Sequence, residues 1–142
     1  MNDQHAPALE LPDVLSAWWD TIAALRVDSP AEDWDAMTAY LTDDCVVHFN
    51  GMGAPASVGH EAVVTDLRQV LTFWHLVERR VQALAVDEAR STVLASMSNR
   101  LEIRGQALEL AEAEVVTFDA DGRISRYELY CGPAPIVALL GQ

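Results

Sequence analysis

Hydrophobic spacing along this chain changes its period once, at Trp74, and that change constrains the fold more than any other feature. Before it, apolar residues recur every three or four positions. Leu15, Trp18, Ile22 and Leu25 form one set, Trp34, Met37 and Leu41 a second, and Val63, Leu67, Val70 and Trp74 a third. Each set marks one face of an amphipathic helix. After Trp74 apolar and polar residues alternate, and residues 76–87, 91–103, 106–118 and 123–132 read as four long strands. Helices followed by hairpins predict an α+β layer fold, with three N-terminal helices on one face of an antiparallel sheet.

Local punctuation agrees. Pro12 suits a first helical turn, and Ser29-Pro30-Ala31-Glu32 has the form of a capping box. Asp43-Asp44 ends the second helix, and Cys45–Phe49 reads as a short strand. Gly51, Gly53, Pro55 and Gly59 make residues 50–59 a loop. Arg104-Gly105 is a two-residue hairpin turn, and Asp119-Ala120-Asp121-Gly122 a four-residue one. Residues 134–140 suit a short closing helix. Residues 1–10 lack periodicity and read as a flexible tail, leaving 11–142 as a single domain.

Composition narrows the function classes. At 142 residues and 51% hydrophobic, the chain can bury a real core. Its net charge is −13, and all nine positive charges are Arg. Such a surface repels phosphate backbones and anionic headgroups, so neither nucleic acid nor membrane is expected as a partner. Without Lys there is no Schiff base and no P-loop lysine. Cys45 and Cys131 lack CxxC spacing, no two histidines stand at ligand spacing, and Gly51-Met52-Gly53 does not continue into a dinucleotide fingerprint. Neither metal nor cofactor is expected. The first twenty residues hold Asp3, Glu10, Asp13 and Asp20 and no Arg, unlike a secretory leader, so a cytoplasmic location is expected.

The turns set strand register. The first pairs Ile103 with Gln106 and, stepping by twos, Leu101 with Leu108, Asn99 with Leu110, Met97 with Glu112 and Ala95 with Glu114. The second pairs Phe118 with Arg123, Val116 with Ser125, Glu114 with Tyr127 and Glu112 with Leu129. One face of the sheet is therefore mostly apolar and is the inner one. Its exceptions are Asn99, Glu112, Glu114 and Tyr127. A carboxyl desolvated among Val, Met and Leu is raised in pKa and can hold or take a proton near neutrality. The alternatives are that Glu112 meets water at a rim and that Glu114 pairs with an Arg such as Arg79 or Arg80. The opposite face carries Arg100, Glu102, Glu109, Arg126, Glu128 and Tyr130, suited to solvent or a polar dimer contact.

Three segments resemble the SnoaL-like branch of the nuclear-transport-factor-2-like superfamily, which includes polyketide cyclases, ketosteroid isomerases and limonene epoxide hydrolases. They are Tyr40–Phe49, Gly59-His60-Glu61-Ala62-Val63, and Phe118–Ile124 running on to Tyr130. The resemblance covers roughly residues 12 to 132. It implies a cone in which a curved sheet wraps the helices around a deep pocket. It also implies a homodimer through the outer sheet face. In ketosteroid isomerases a protonated carboxylic acid precedes the second turn, and its place here is Glu114. The carboxylate base of that family falls on Phe49 and its phenol near Thr21. The last-strand Asp of limonene epoxide hydrolases falls near Leu129. Where many SnoaL-like proteins have Tyr-x-Asp, this chain has Tyr130-Cys131-Gly132.

The candidate catalytic residues are therefore Glu114, Tyr127 and, as a substitute base at the end of the first strand, His48. Alternation points His48 outward. Trp18, Phe49, Met97, Asn99, Glu112, Val116 and Leu129 are expected to line the pocket, and Trp19, one position off the helical stripe, to line it or a dimer contact. The expected activity is cofactor-independent proton transfer (isomerisation, cyclisation, dehydration or hydrolysis) on a small, largely apolar metabolite. A non-catalytic binding module and a dimeric interaction domain are the alternatives.

Overall fold

The computed structural model describes residues 10–141. The expected tail, with His5, lies outside them apart from the exposed Glu10. In chain order the elements are α1 (Leu11–Ala24), α2 (Ala31–Thr38), β1 (Leu41–Asn50), β2 (Ser57–Val58), α3 (His60–Val70), β3 (Trp74–Glu78), β4 (Val81–Asp87), β5 (Thr92–Ile103), β6 (Gln106–Phe118), β7 (Ile124–Cys131) and α4 (Ala134–Leu140). Seven strands form one strongly curled sheet in the order β2-β1-β7-β6-β5-β3, with β4 also on β5. This is an α+β fold with the N-terminal helices on the concave face. The sheet is antiparallel except where β1 joins β7 in parallel, so it is mixed rather than wholly antiparallel.

The hairpin β5–β6 has the expected register, from Ile103 opposite Gln106 to Ala95 opposite Glu114. Arg104 and Gly105 have φ of 50° and 79°, the left-handed pair that a two-residue hairpin turn demands. The hairpin β6–β7 differs. Its loop spans residues 119–123, closed by Asp119 N–H to the Arg123 carbonyl at 2.8 Å. Ser125 then bulges out, between the pairs Phe118–Ile124 and Thr117–Arg126. Together these move the register by two. Tyr127 stands opposite Val116, and Leu129 opposite Glu114. An even displacement leaves every side chain on its expected face.

The expected strand 76–87 is two strands, because Arg79 and Arg80 interrupt it. Single-residue bulges flank the break, one between Leu76 and Glu78, the other between Val81 and Ala83. Other elements also depart from expectation. The second helix stops at Thr38, so Leu41 opens β1, and Trp74 belongs to β3 rather than to α3. No side chain caps α2; the Ser29 hydroxyl accepts from Arg26 N–H at 2.8 Å instead.

Core packing joins Leu15, Trp18 and Trp19 of α1, and Trp34 and Met37 of α2, to Val93, Ala95 and Met97 of β5 and Val116 and Phe118 of β6. This seals the cone beneath α1. Further along β5, beyond Met97, a cavity opens on the concave face, lined by Asn99 and Leu101.

Candidate active site

A cavity of about 160 Å³ lies between α1, α3 and the concave face of the sheet. Its walls are apolar: Trp18 and Ile22 from α1 and Leu25 just after it, Val63, Leu67 and Val70 from α3, and Leu76, Leu101 and Leu129 from the strands. Its polar end is built by inward positions of β5, β6 and β7. Glu112 and Glu114 stand two residues apart on β6, so both point the same way. They are 8% and 3% exposed.

Each carboxyl has its own support. The Trp19 indole N–H donates to Glu114 Oε1 at 3.0 Å. The Tyr127 hydroxyl hydrogen-bonds the same carboxyl from the next strand. Asn99 Nδ2 donates to Glu112 Oε2 at 2.9 Å, while Asn99 Oδ1 accepts from Arg80 N–H at 3.0 Å. Asn99 thus ties the β3–β4 break to the Glu112 carboxyl. The rings of Trp18 and Tyr127 meet edge to face with centroids 5.1 Å apart, and Phe49 packs on Tyr127 at 6.3 Å. Both contacts hold the phenol in place.

The electrostatics follow from this burial. Desolvation pushes Glu114 from the usual carboxyl value up to about 7, against the opposing pull of its hydrogen bonds from Tyr127 and Trp19. Desolvation, then the neighbouring Glu114, also raises Glu112 to about 7, while Asn99 and Arg79 pull it down. Burial, with the adjacent carboxyl adding to it, lifts the Tyr127 phenol well above its ordinary value. Near neutrality each carboxyl is therefore poised to hold or release a proton.

The structure brings together Glu114, Tyr127, Glu112, Asn99, Trp18, Phe49 and Leu129 along this cavity. It does not bring three others. His48 pairs across β1–β7 with Glu128, on the convex face, because strict alternation holds to the strand end. It is not part of the site. Met97 and Val116 do face inward, but at 1% and 0% exposure they are core beneath α1 rather than cavity lining. Neither alternative partner holds Glu114: Arg80 pairs with Glu78 and Glu109, and Arg79 with Asp20. Glu112 is not at a wet rim. The role of Trp19 as a donor to Glu114 carries no sequence signal beyond its place one residue off the helical stripe. Arg79 joins the cavity although β-alternation from Leu76 would turn it outward. At the far edge, Ser57 and Asp66 also line it, the hydroxyl donating to Asp66 Oδ2 at 2.5 Å. Among the described residues no group of three or more His, Cys, Asp or Glu is placed to hold a metal. Among them, too, no helix is long and apolar enough to cross a membrane.

Comparison with known proteins gives this arrangement its family. The model of the SnoaL-like domain matches residues 15–127, and the chain belongs to that family. No curated protein matches it. Among solved structures it is similar to an LEH-like epoxide hydrolase of M. tuberculosis, at 22% identity and a TM-score of 0.67, covering 92% of this chain and 89% of that one. It is similar to SalBIII, an epoxide hydrolase/cyclase-like enzyme in pyran ring formation in the polyether salinomycin, at 12% identity and 0.68, covering 88% and 92%. A protein of Catenulispora acidiphila with a ketosteroid isomerase-like fold, solved with trimethylamine, matches at 13% identity and 0.72, covering 92% and 93%. At these identities the likeness is one of fold.

Proposed function

We propose that this chain is a general acid–base enzyme that moves a proton on a small, largely apolar molecule held in the cone. The observation that carries this reading is the pair of buried carboxyls, Glu112 and Glu114, each at about 7 and each oriented by its own hydrogen bonds at one end of an apolar cavity. A carboxyl poised near the working pH both accepts and donates protons effectively. Trp19 and Tyr127 aim Glu114, and Asn99 aims Glu112. Isomerisation, cyclisation, dehydration and epoxide hydrolysis can all be served by such a pair, and the relatives of the fold include cyclases, isomerases and epoxide hydrolases. Two unpaired thiols, Cys45 and Cys131, fit a reducing compartment, and we take the cytoplasm as its location.

The test is turnover of a panel of enolisable ketones, β-hydroxy carbonyls and apolar epoxides by the wild type, Glu112→Gln and Glu114→Gln. Turnover lost in both variants supports the reading. Ligand binding without turnover in the wild type assigns the cavity to a binding module instead.

A further inference from the structure

Arg79 is placed in the cavity by a device that serves no evident structural purpose. Leu76 faces inward opposite Leu101, and simple alternation would then turn Arg79 outward. The bulge between Leu76 and Glu78 reverses the parity, so that Glu78 faces out opposite Arg100 and Arg79 faces in, level with Asn99. The second bulge, between Val81 and Ala83, restores the original parity for the rest of β4. Two bulges around one residue re-aim a single side chain, a common use of bulges beside functional sites.

The guanidinium that arrives there is under-used. Its side chain is 16% exposed, and among the described residues its one hydrogen bond runs from Nη1 to Asp20 Oδ1 at 3.3 Å. Asp20 is itself 75% exposed, so that pairing is screened by water. The guanidinium lies over the Trp19 ring, with Cζ 4.8 Å from the centroid. That contact holds the cation from one side and uses none of its N–H donors. Its charge reaches Glu112, Glu114 and Tyr127, yet it bonds none of them. A gap therefore separates a fixed cation from the two carboxyls.

We propose that Arg79 is the anion-recognising group of this cavity, and that the molecule it takes is an apolar body bearing a carboxylate. The carboxylate sits on the Arg79 fork, the body lies along Leu76, Leu101 and Trp18, and the carbons next to the carboxylate face Glu112 and Glu114. The proposal rests on the acid–base reading for what happens next, but not for binding. A bidentate guanidinium contact in a largely desolvated site is worth far more than one in water.

The experiment is Trp-fluorescence titration of the full chain with 4-phenylbutyrate and with its neutral amide, 4-phenylbutyramide, followed by the same pair on Arg79→Met, Arg79→Lys and Arg80→Gln. The carboxylate should bind the wild type at least tenfold more tightly than the amide. Arg79→Met should abolish that preference while still binding the amide, which shows that the cavity is folded. Arg79→Lys should keep part of it, because the charge remains and the fork is lost. Arg80→Gln should leave it intact. Equal binding of acid and amide by the wild type, binding of neither, or a preference that survives Arg79→Met would overturn the proposal. Equal binding by the wild type together with turnover lost in Glu114→Gln would remove this inference and leave the acid–base reading standing.

Discussion

The two faces of strands β5 to β7 carry the same residue types and put them to opposite uses. On the convex face Glu109 and Arg100 stand exposed across a strand pair, and Arg80 reaches both Glu78 and Glu109. On the concave face Glu112 and Glu114 stand on β6 and Arg79 lies across β5, in the β3–β4 break, with no such bond between them. The outcome reverses. The Arg80 hydrogen bond and charge hold Glu78 below the ordinary carboxyl value, whereas burial carries Glu112 and Glu114 up to about 7. The lesson is that a nearby guanidinium does not decide the protonation of a carboxyl when desolvation is complete. Loss of water outweighs a cation that is close but not in contact.

The sharpest way to break this contrast is to remove the charge-bearing group from each face in turn. Glu114→Gln should lower turnover by about 10²–10⁴-fold, the usual worth of a positioned acid or base. Glu109→Gln, three positions earlier than Glu112 on the convex side of the same strand, should leave kcat and KM unchanged. Equal loss in both variants would show that the strand as a whole, and not its inner carboxyl, matters.

Stability measured against pH sharpens the same comparison. A carboxyl whose value is raised on folding binds its proton more tightly in the folded state. Its contribution favours the fold fully below the unfolded value of about 4.5 and is lost as pH climbs through about 7. At about 1.4 kcal/mol per pH unit of displacement, Glu114 costs the wild type roughly 3 kcal/mol by pH 8. Gln at this position still accepts from Trp19 and does not titrate. Urea unfolding should therefore show Glu114→Gln gaining on the wild type between pH 5 and pH 8. Parallel pH profiles for the two proteins would refute a buried, protonated Glu114.

Asn99 is the hinge between the faces, since its amide joins Arg80 N–H to Glu112. Asn99→Ala leaves that half-buried N–H without its side-chain partner and removes a donor to the carboxylate. The expected cost is about 1–3 kcal/mol in urea unfolding. The limb of the pH–rate profile that reports Glu112 should also move to higher pH, because the hydrogen bond that favours its ionised form is gone. A stability loss with an unmoved profile would make Asn99 structural only.

These residues also show where sequence reasoning reaches its limit. Glu112 and Glu114 were legible as inward carboxyls because a left-handed Arg104-Gly105 turn pins the β5–β6 register. Tyr127 stayed on their face although the second hairpin slipped, since a longer loop plus the Ser125 bulge add up to two residues. Arg79 was not legible as a cavity residue. A bulge leaves no mark in alternation except a broken phase, and Glu78-Arg79-Arg80 is polar throughout, so there was no phase to break. Trp19 reads as part of a helix, and its bond to Glu114 spans 95 positions. The parallel pairing of β1 with β7 is likewise a long-range choice that local spacing does not encode.

A smaller effect concerns what covers the convex face. Leu94 and Tyr130 are 42% and 43% exposed there, beside Val115, with charged residues around them. We expect a second copy of the chain to cover this face, as an apolar centre with a polar rim suits. Sedimentation at micromolar concentration should give a dimer for the wild type and a monomer for Leu94→Glu. A wild-type monomer would end the idea.

The smallest effect expected is also the closest control, because Arg80 adjoins Arg79 in the chain. Its guanidinium hydrogen-bonds Glu78 at 3.0 and 3.2 Å and Glu109 at 3.2 Å, more contacts than Arg79 makes. By contact number it would rank as the more important arginine. All three side chains are exposed, however, at 40%, 50% and 61%, so water and salt screen their attraction. The contact that matters at this position belongs to the backbone, whose N–H reaches Asn99 and survives any non-proline substitution. Arg80→Gln should therefore leave the unfolding midpoint and turnover within experimental error, in low salt and at 0.5 M salt alike. A loss of turnover comparable to that of the cavity variants would mean that charge on the convex face is felt across the sheet, and the separation between the two faces would fail.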